Sequence, residues 1–138
     1  MNTTDQERIL IVDTNPLFLE KLAQELRAEN FEVVATGSSA QAFHILRDWT
    51  HPVDWLFSRA TMPGLIDGWI LADEYRDSHP TRPAVIAAAQ AKISAQGHVV
   101  LQDPSPAAVL DTLRGITAKH HVSEIPSQNK RDEFLLAA

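Results

Sequence analysis

Residues 9–16 of this chain read Ile-Leu-Ile-Val-Asp-Thr-Asn-Pro. The first four are all apolar and mostly β-branched, which is typical of a strand buried on both faces of a parallel sheet. Pro16 suits the first turn of a helix, and Asn15 before it is a favourable helix cap. The stretch therefore predicts a buried strand that leads directly into a helix.

The same alternation of apolar strand and amphipathic helix continues along the chain. Further strands are predicted at residues 31–35, 53–57, 84–88 and 99–101, with helices from Pro16 to near Asn30, from 39 to about Trp49, from 66 to 78 and from Pro106 onward. Five strands alternating with helices predict a flavodoxin-like α/β fold, a (βα)5 three-layer sandwich whose five-stranded parallel sheet has the order 2-1-3-4-5. Only ten residues, 89–98, separate the fourth and fifth strands. The helix expected between these two strands, the fourth of the fold, should therefore be shortened or replaced by a loop.

Periodicity also predicts which side chains of the helices face the core. The inward residues are expected to be Ala42, Phe43, Leu46 and Trp49 in the second helix and Ile70, Leu71 and Tyr75 in the third. Asp67, near the start of the third helix, is expected to cap it. The three tryptophans, Trp49, Trp55 and Trp69, could face a partner but are interpreted as partly buried packing residues, the more common role in an α/β domain.

Length and composition narrow the class of protein. The 138 residues fit one domain, at 7–120, followed by a polar tail at 121–138 that we expect to be flexible. No cysteine is present, which excludes a disulfide scaffold and a cysteine nucleophile. The formal charge of -6 leaves no basic surface for nucleic acid. No apolar run approaches the ~20 residues of a membrane span, and no signal peptide is visible, so we expect a cytoplasmic protein without membrane contact.

Candidate site residues follow the strands at one edge of the predicted sheet. Ligands of such sheets bind where the strands end at their carboxyl side. That edge should bring together Asp13 and Thr14 after the first strand, Ser58, Arg59 and Thr61 after the third, Ala88 after the fourth and Asp103 after the fifth. The sequence has no Walker or dinucleotide-type glycine loop that would bind phosphates there.

The chain resembles the response regulator receiver domains (CheY-like) of two-component signalling over about residues 8–118. The resemblance is carried by residues 9–16, by Met-Pro-Gly-Leu-Ile-Asp-Gly-Trp at 62–69, by Arg-Pro-Ala-Val-Ile at 82–86 and by Asp-Pro at 103–104. It implies a role in phosphorelay signal transduction.

The resemblance also implies that the phosphorylation site is degenerate. The family holds Mg²⁺ with two adjacent acids after strand one, which here are Asp13 and Thr14. Its phospho-accepting Asp, four residues before the Pro of the Met-Pro-Gly motif, is here Arg59. The hydroxyl residue after strand four is here Ala88, and the Lys after strand five is Asp103.

Chemistry supports the same conclusion. Acyl-phosphate formation needs a carboxylate nucleophile and a divalent cation, and Arg59 provides neither. We therefore expect no catalytic residue, no enzyme activity, no cofactor and a lost Mg²⁺ site. Since the charges on strands three and five are exchanged, we expect Arg59 to pair with Asp13, with Asp103 or with both. The aromatic switch position of the family is here Val100.

The sequence thus predicts a stand-alone pseudo-receiver that acts by protein–protein interaction. Its expected partner is a histidine kinase, a phosphotransfer protein or another regulator, with a homodimer as a further option. Two alternatives stay open. One is a functional phosphorelay receiver with another acceptor, such as Asp54 or Asp67, and the other is a small anion-binding module that uses Arg59.

Overall fold

The computed structural model of the chain describes residues 6–90, 94 and 96–120. Its strands are β1 (Arg8–Val12), β2 (Glu32–Thr36), β3 (Trp55–Arg59), β4 (Val85–Ala88) and β5 (Val99–Gln102). Its helices are α1 (Pro16–Ala28), α2 (Ser39–Arg47), α3 (Gly68–Ser78) and α4, which begins at residue 106 and is described as far as residue 120. The predicted tail at 121–138 lies outside the described residues.

The five strands form one parallel sheet in the order β2-β1-β3-β4-β5. This confirms the predicted flavodoxin-like fold. The described part of the connection between β4 and β5 contains no helix. In the register of β1 and β3, Val12 is paired with Ser58. The next residues along the two strands, Asp13 and Arg59, therefore come side by side at the carboxyl edge of the sheet.

Each helix begins at a polar cap, because the first backbone N–H groups of a helix lack partners within it. The cap oxygen of Asn15 accepts from the N–H groups of Leu17 and Phe18, at 3.0 and 3.2 Å. The other caps are Ser38, Asp67 and Ser105, each accepting one backbone N–H at 2.9–3.1 Å. The predicted capping role of Asp67 is confirmed.

Two apolar clusters cover the two faces of the sheet. Ile9 and Ile11 pack with α1 and α4, whereas Leu10 and Val12 pack with α2 and α3. All four side chains are fully buried. The alternation confirms that β1 is a strand covered on both sides.

Three expectations about element boundaries and packing are wrong. α2 ends at Arg47, where the side chain of Asp48 bonds the following turn, so Trp49 lies beyond the helix and is 85% exposed. Ile70 is 40% exposed, because the buried stripe of α3 passes through Leu71 and Tyr75. β3 begins at Trp55 and not at residue 53, so Arg59 is its last residue.

Among the described residues, no helix combines the length and the apolar character that a bilayer span requires.

Candidate functional site

The carboxyl edge of the sheet holds an ion pair between Arg59 and Asp13. The Arg59 Nε donates to Asp13 Oδ2 at 3.1 Å, and one terminal nitrogen donates to the same oxygen at 2.5 Å. Asp13 is 1% exposed, while the Arg59 side chain is 23% exposed. The arginine therefore neutralises a carboxylate that has almost no contact with solvent.

The second oxygen of Asp13 is also occupied. Asp13 Oδ1 accepts the backbone N–H of Asn15 at 3.0 Å, in the turn that leads into α1. The Asp13 N–H in turn donates to the carbonyl of Thr36 at 3.3 Å. Side chain and backbone of Asp13 are thus held by three neighbouring segments, β2, β3 and the start of α1.

An aromatic ring supports the arginine from α1. The Arg59 guanidinium carbon lies 5.1 Å from the centre of the Phe18 ring, a distance at which cation–π attraction operates. Phe18 itself stacks on Phe57, with 5.9 Å between ring centres. Phe18 is a residue of this site that the sequence alone did not indicate. Its place in the first turn of α1, three residues after the Asn15 cap, was the available signal that it could reach the site.

Gly68 fixes the backbone of Arg59 from the other side. A Cβ atom at residue 68 would come within 2.2 Å of the Arg59 carbonyl oxygen, so only glycine fits there. The Gly68 N–H donates to the carbonyl of Ala60 at 2.9 Å. The Asp-Gly of residues 67–68 therefore seats the start of α3 directly on the end of β3.

The other candidate residues surround this pair without joining it. Thr14 is exposed, and Ala88 ends β4 half-buried. Asp103 follows β5 with a φ of 41° and donates its backbone N–H to the Ala88 carbonyl at 2.9 Å. Its exposed carboxylate pairs with no cation in the described part of the chain. Arg59 thus pairs with Asp13 and not with Asp103, whose side chain is exposed.

Val100, the predicted switch position, lies within β5 opposite Ile86. It is half-buried and packs against the cluster formed with α2 and α3.

The two alternative acceptors, Asp54 and Asp67, have other partners. Asp54 is at the amino edge of the sheet, opposite to Arg59, where its Oδ2 accepts the Arg8 N–H at 2.8 Å. One carboxylate oxygen of Asp67 accepts the Ile70 N–H at 2.9 Å and so caps α3. Neither carboxylate is part of the Arg59–Asp13 site.

Residues 9–103 match the family model described as "Response regulator receiver domain". Among solved structures, a response regulator receiver protein from Sinorhizobium medicae WSM419 is 21% identical with a TM-score of 0.71, over 82% of this chain and 95% of that one. A CheY-like receiver domain protein from Methanospirillum hungatei JF-1 is 17% identical with a TM-score of 0.72, over 86% and 98%.

A third similar structure is the CheX–CheY complex with BeF3 and Mg²⁺ from Borrelia burgdorferi. It is 19% identical with a TM-score of 0.66, over 80% of this chain and 89% of that one. These likenesses show the shared fold. No curated protein matches the chain significantly.

Proposed function

Because the chain belongs to the response regulator receiver family, we propose that it is a two-component signalling receiver that is not phosphorylated at the usual site and acts by protein–protein interaction. The family consists of signalling modules, and their acceptor carboxylate follows strand three. The observation that carries the proposal is the guanidinium of Arg59 at that position, bonded twice to Asp13.

The remaining carboxylate of the site is a poor nucleophile in this arrangement. One Asp13 oxygen receives two N–H groups of Arg59, and the other receives the Asn15 N–H. In-line attack on a phosphoryl donor needs a lone pair that is free and accessible. Asp13 is 1% exposed, so a donor would first have to displace Arg59.

The same residues do not fit Mg²⁺, which the family uses. The ion requires several oxygen ligands in octahedral geometry and usually keeps some of its waters. Where the family has two adjacent acids after strand one, this chain has one acid, Asp13, followed by Thr14. Because the cation already beside Asp13 is a guanidinium, a divalent ion would meet repulsion in place of a second carboxylate.

The proposed partners are proteins of the same signalling system: a histidine kinase, a phosphotransfer protein or another regulator, with self-association as a further option. Such partners would place the protein in the cytoplasm. The similar CheY of Borrelia burgdorferi forms a complex with the protein CheX, which is one case of a receiver fold that binds a protein.

Phosphorylation is tested by incubation with acetyl phosphate and Mg²⁺, followed by intact-mass measurement. We expect no added phosphoryl group. A gain of one phosphoryl group would overturn the proposal, and the variants Asp54→Asn and Asp67→Asn would then show whether either residue is the acceptor.

A matched variant tests the argument about Mg²⁺. Arg59→Asp places a second carboxylate beside Asp13, so Mg²⁺ should raise the melting temperature of this variant and leave that of the natural protein unchanged. An equal response of both proteins would contradict the argument. A rise in the melting temperature of the natural protein with sulfate, lost in Arg59→Met, would instead favour the anion-binding alternative.

Affinity capture from the native cell tests the interaction role. The natural protein and Arg59→Asp should retain different sets of signalling proteins. Identical sets would show that the pocket does not control the interaction.

A further inference from the structure

A cavity of about 450 Å³ lies at the amino edge of the sheet, far from Arg59, between the last turns of α2 and α3. Its volume is within the range of small-ligand sites. The residues that matter here are Arg47, Asp48, Trp49, Glu74, Ser78 and His79.

Trp49 forms one wall of this cavity and is the most exposed tryptophan that the structure describes. It is 85% exposed, and no ring or cation contact involves it among the described residues. An indole has the strongest attraction for cations among the aromatic side chains. Its exposed face is therefore suited to a cationic group from another molecule.

Negative charge surrounds the same cavity. Glu74 is half-buried and has no ion pair or hydrogen bond within the described chain. Hydrogen bonds from Thr50 lower the pKa of Asp48, which keeps that carboxylate ionised. In addition, α2 and α3 both end here, at Arg47 and Ser78, so the negative ends of two helix dipoles point toward the cavity.

Of the two basic groups at the cavity, only Arg47 carries a charge. The Arg47 guanidinium lies over the Phe43 ring, 5.6 Å from its centre. Burial, with the nearby charge of Arg82, lowers the pKa of His79, so that its ring is uncharged at neutral pH. The cavity therefore combines an unoccupied aromatic face with two carboxylates, those of Asp48 and Glu74, against the single positive charge of Arg47.

We propose that this cavity binds an arginine side chain of a protein partner. A guanidinium can stack its planar face on the Trp49 indole while its N–H groups, which lie in the plane, donate to the Glu74 carboxylate and to carbonyl groups of the helix ends. A lysine ammonium would satisfy the charge but not the stacking. The cavity lies at the opposite edge of the sheet from the Arg59–Asp13 pair, so arginine binding there is independent of whether the receiver is phosphorylated.

The test is an NMR titration of the isotope-labelled protein with the capped peptide Gly-Arg-Gly. The Trp49 indole N–H signal and the amides that end α2 and α3 should shift, with a dissociation constant on the order of 1 mM. The matched peptide Gly-citrulline-Gly has the same shape without the charge and should bind at least about fivefold more weakly. Equal binding of both peptides, shifts confined to another surface, or no shift would each overturn the proposal.

Two substitutions at exposed or half-exposed positions sharpen the test. Trp49→Leu and Glu74→Gln should each weaken the arginine peptide by about threefold to tenfold. Glu20→Gln, which removes a carboxylate on the exposed side of α1, is the matched control and should leave the affinity unchanged. The proposal fails if the Trp49 and Glu74 variants bind as tightly as this control.

Discussion

The two edges of the sheet each hold an arginine, an aspartate and an aromatic ring, arranged in different ways. At the carboxyl edge, Arg59 bonds Asp13 twice and lies 5.1 Å from the Phe18 ring. At the amino edge, Arg82 lies 4.8 Å from the Trp55 ring, but its nearest nitrogen is 3.7 Å from the Asp54 carboxylate.

Burial of the aspartate separates the two pairs. The Asp13 side chain is 2% exposed and that of Asp54 is 33% exposed. Asp54 can rely on water, whereas Asp13 depends on Arg59 and one backbone N–H. A buried charge that loses its partner is strongly destabilising, but a solvated one is not. A similar set of residues is therefore required for stability at the carboxyl edge, where the aspartate is buried, and contributes less at the amino edge, where water solvates the aspartate.

The largest effect is expected from Arg59→Met, which keeps the length of the side chain and removes its charge. The free energy of unfolding should fall by about 3 kcal/mol, since Asp13 remains buried without a cation and the partial exposure of Arg59 reduces the full cost. Urea denaturation measures the change. In the double variant with Asp13→Asn, part of the loss should be recovered.

Arg82→Met is the matched control at the amino edge. The free energy of unfolding should fall by about half as much as in Arg59→Met, although Arg82→Met also removes a hydrogen bond to the Asp54 carbonyl. If both single variants lose the same stability, the contrast drawn between the two edges is wrong.

A smaller effect is expected from Gly68→Ala, which presses on the backbone of Arg59. The added Cβ would lie 2.2 Å from the Arg59 carbonyl oxygen, so the start of α3 must move away from β3. We expect a loss of about 2 kcal/mol in thermal or urea unfolding.

Gly115 supplies the control, because it lies in α4 with nothing within 4 Å of an added Cβ. Gly115→Ala should stabilise the protein by about 0.5–1 kcal/mol. Equal effects of the two substitutions would show that the contact at Gly68 is not tight.

The smallest effect concerns pH and a histidine at the amino edge. His98 is buried, and its Nδ1 accepts the Ala84 N–H at 2.9 Å between β4 and β5. Burial, followed by the charge of Arg76, lowers the pKa of His98 below 6.5 in the folded protein, against a weaker opposing effect of Asp73. The unfolded chain therefore binds the proton more readily than the folded one.

The contribution of neutral His98 to the free energy of unfolding is consequently fully present above a pH of about 6.5, the pKa of the unfolded chain. It is lost as the pH falls from there toward the lower pKa that His98 has in the folded protein. Urea unfolding between a pH of about 7.5 and 5.5 should show this decline. His98→Gln should reduce the slope. An unchanged slope in His98→Gln would assign the decline to another group, such as His79, whose pKa is also lowered by burial.

Most of the fold could be predicted from the sequence because its signals are local. The apolar run at 9–12, the helix caps and the alternation of strand with helix each act within a few residues. The Arg59–Asp13 pair could also be anticipated, since the topology alone brings the ends of neighbouring strands together. The sequence did not reveal whether Arg59 would pair with Asp13 or with Asp103. The backbone turn at Asp103 decides where the Asp103 side chain lies, and that turn could not be predicted.

The remaining errors have a common physical cause. Trp49 follows an apolar stripe, but the side-chain bonds of Asp48 end α2 before it. The contact of Phe18 with Arg59, and that of Arg82 with Trp55, join segments far apart in sequence. Periodicity reports which face of a helix is apolar and contains no information about such partners.

The convergence of two Arg59 nitrogens on one oxygen of Asp13 also restricts which substitutions the two positions tolerate. A single substitution of Arg59 by a neutral or acidic residue leaves the carboxylate of Asp13 enclosed without a counter-charge. A single change of Asp13 leaves an arginine directed at a partner that no longer accepts its donors. An acidic residue at position 59 should therefore weaken the protein unless a cation or a second substitution accompanies it.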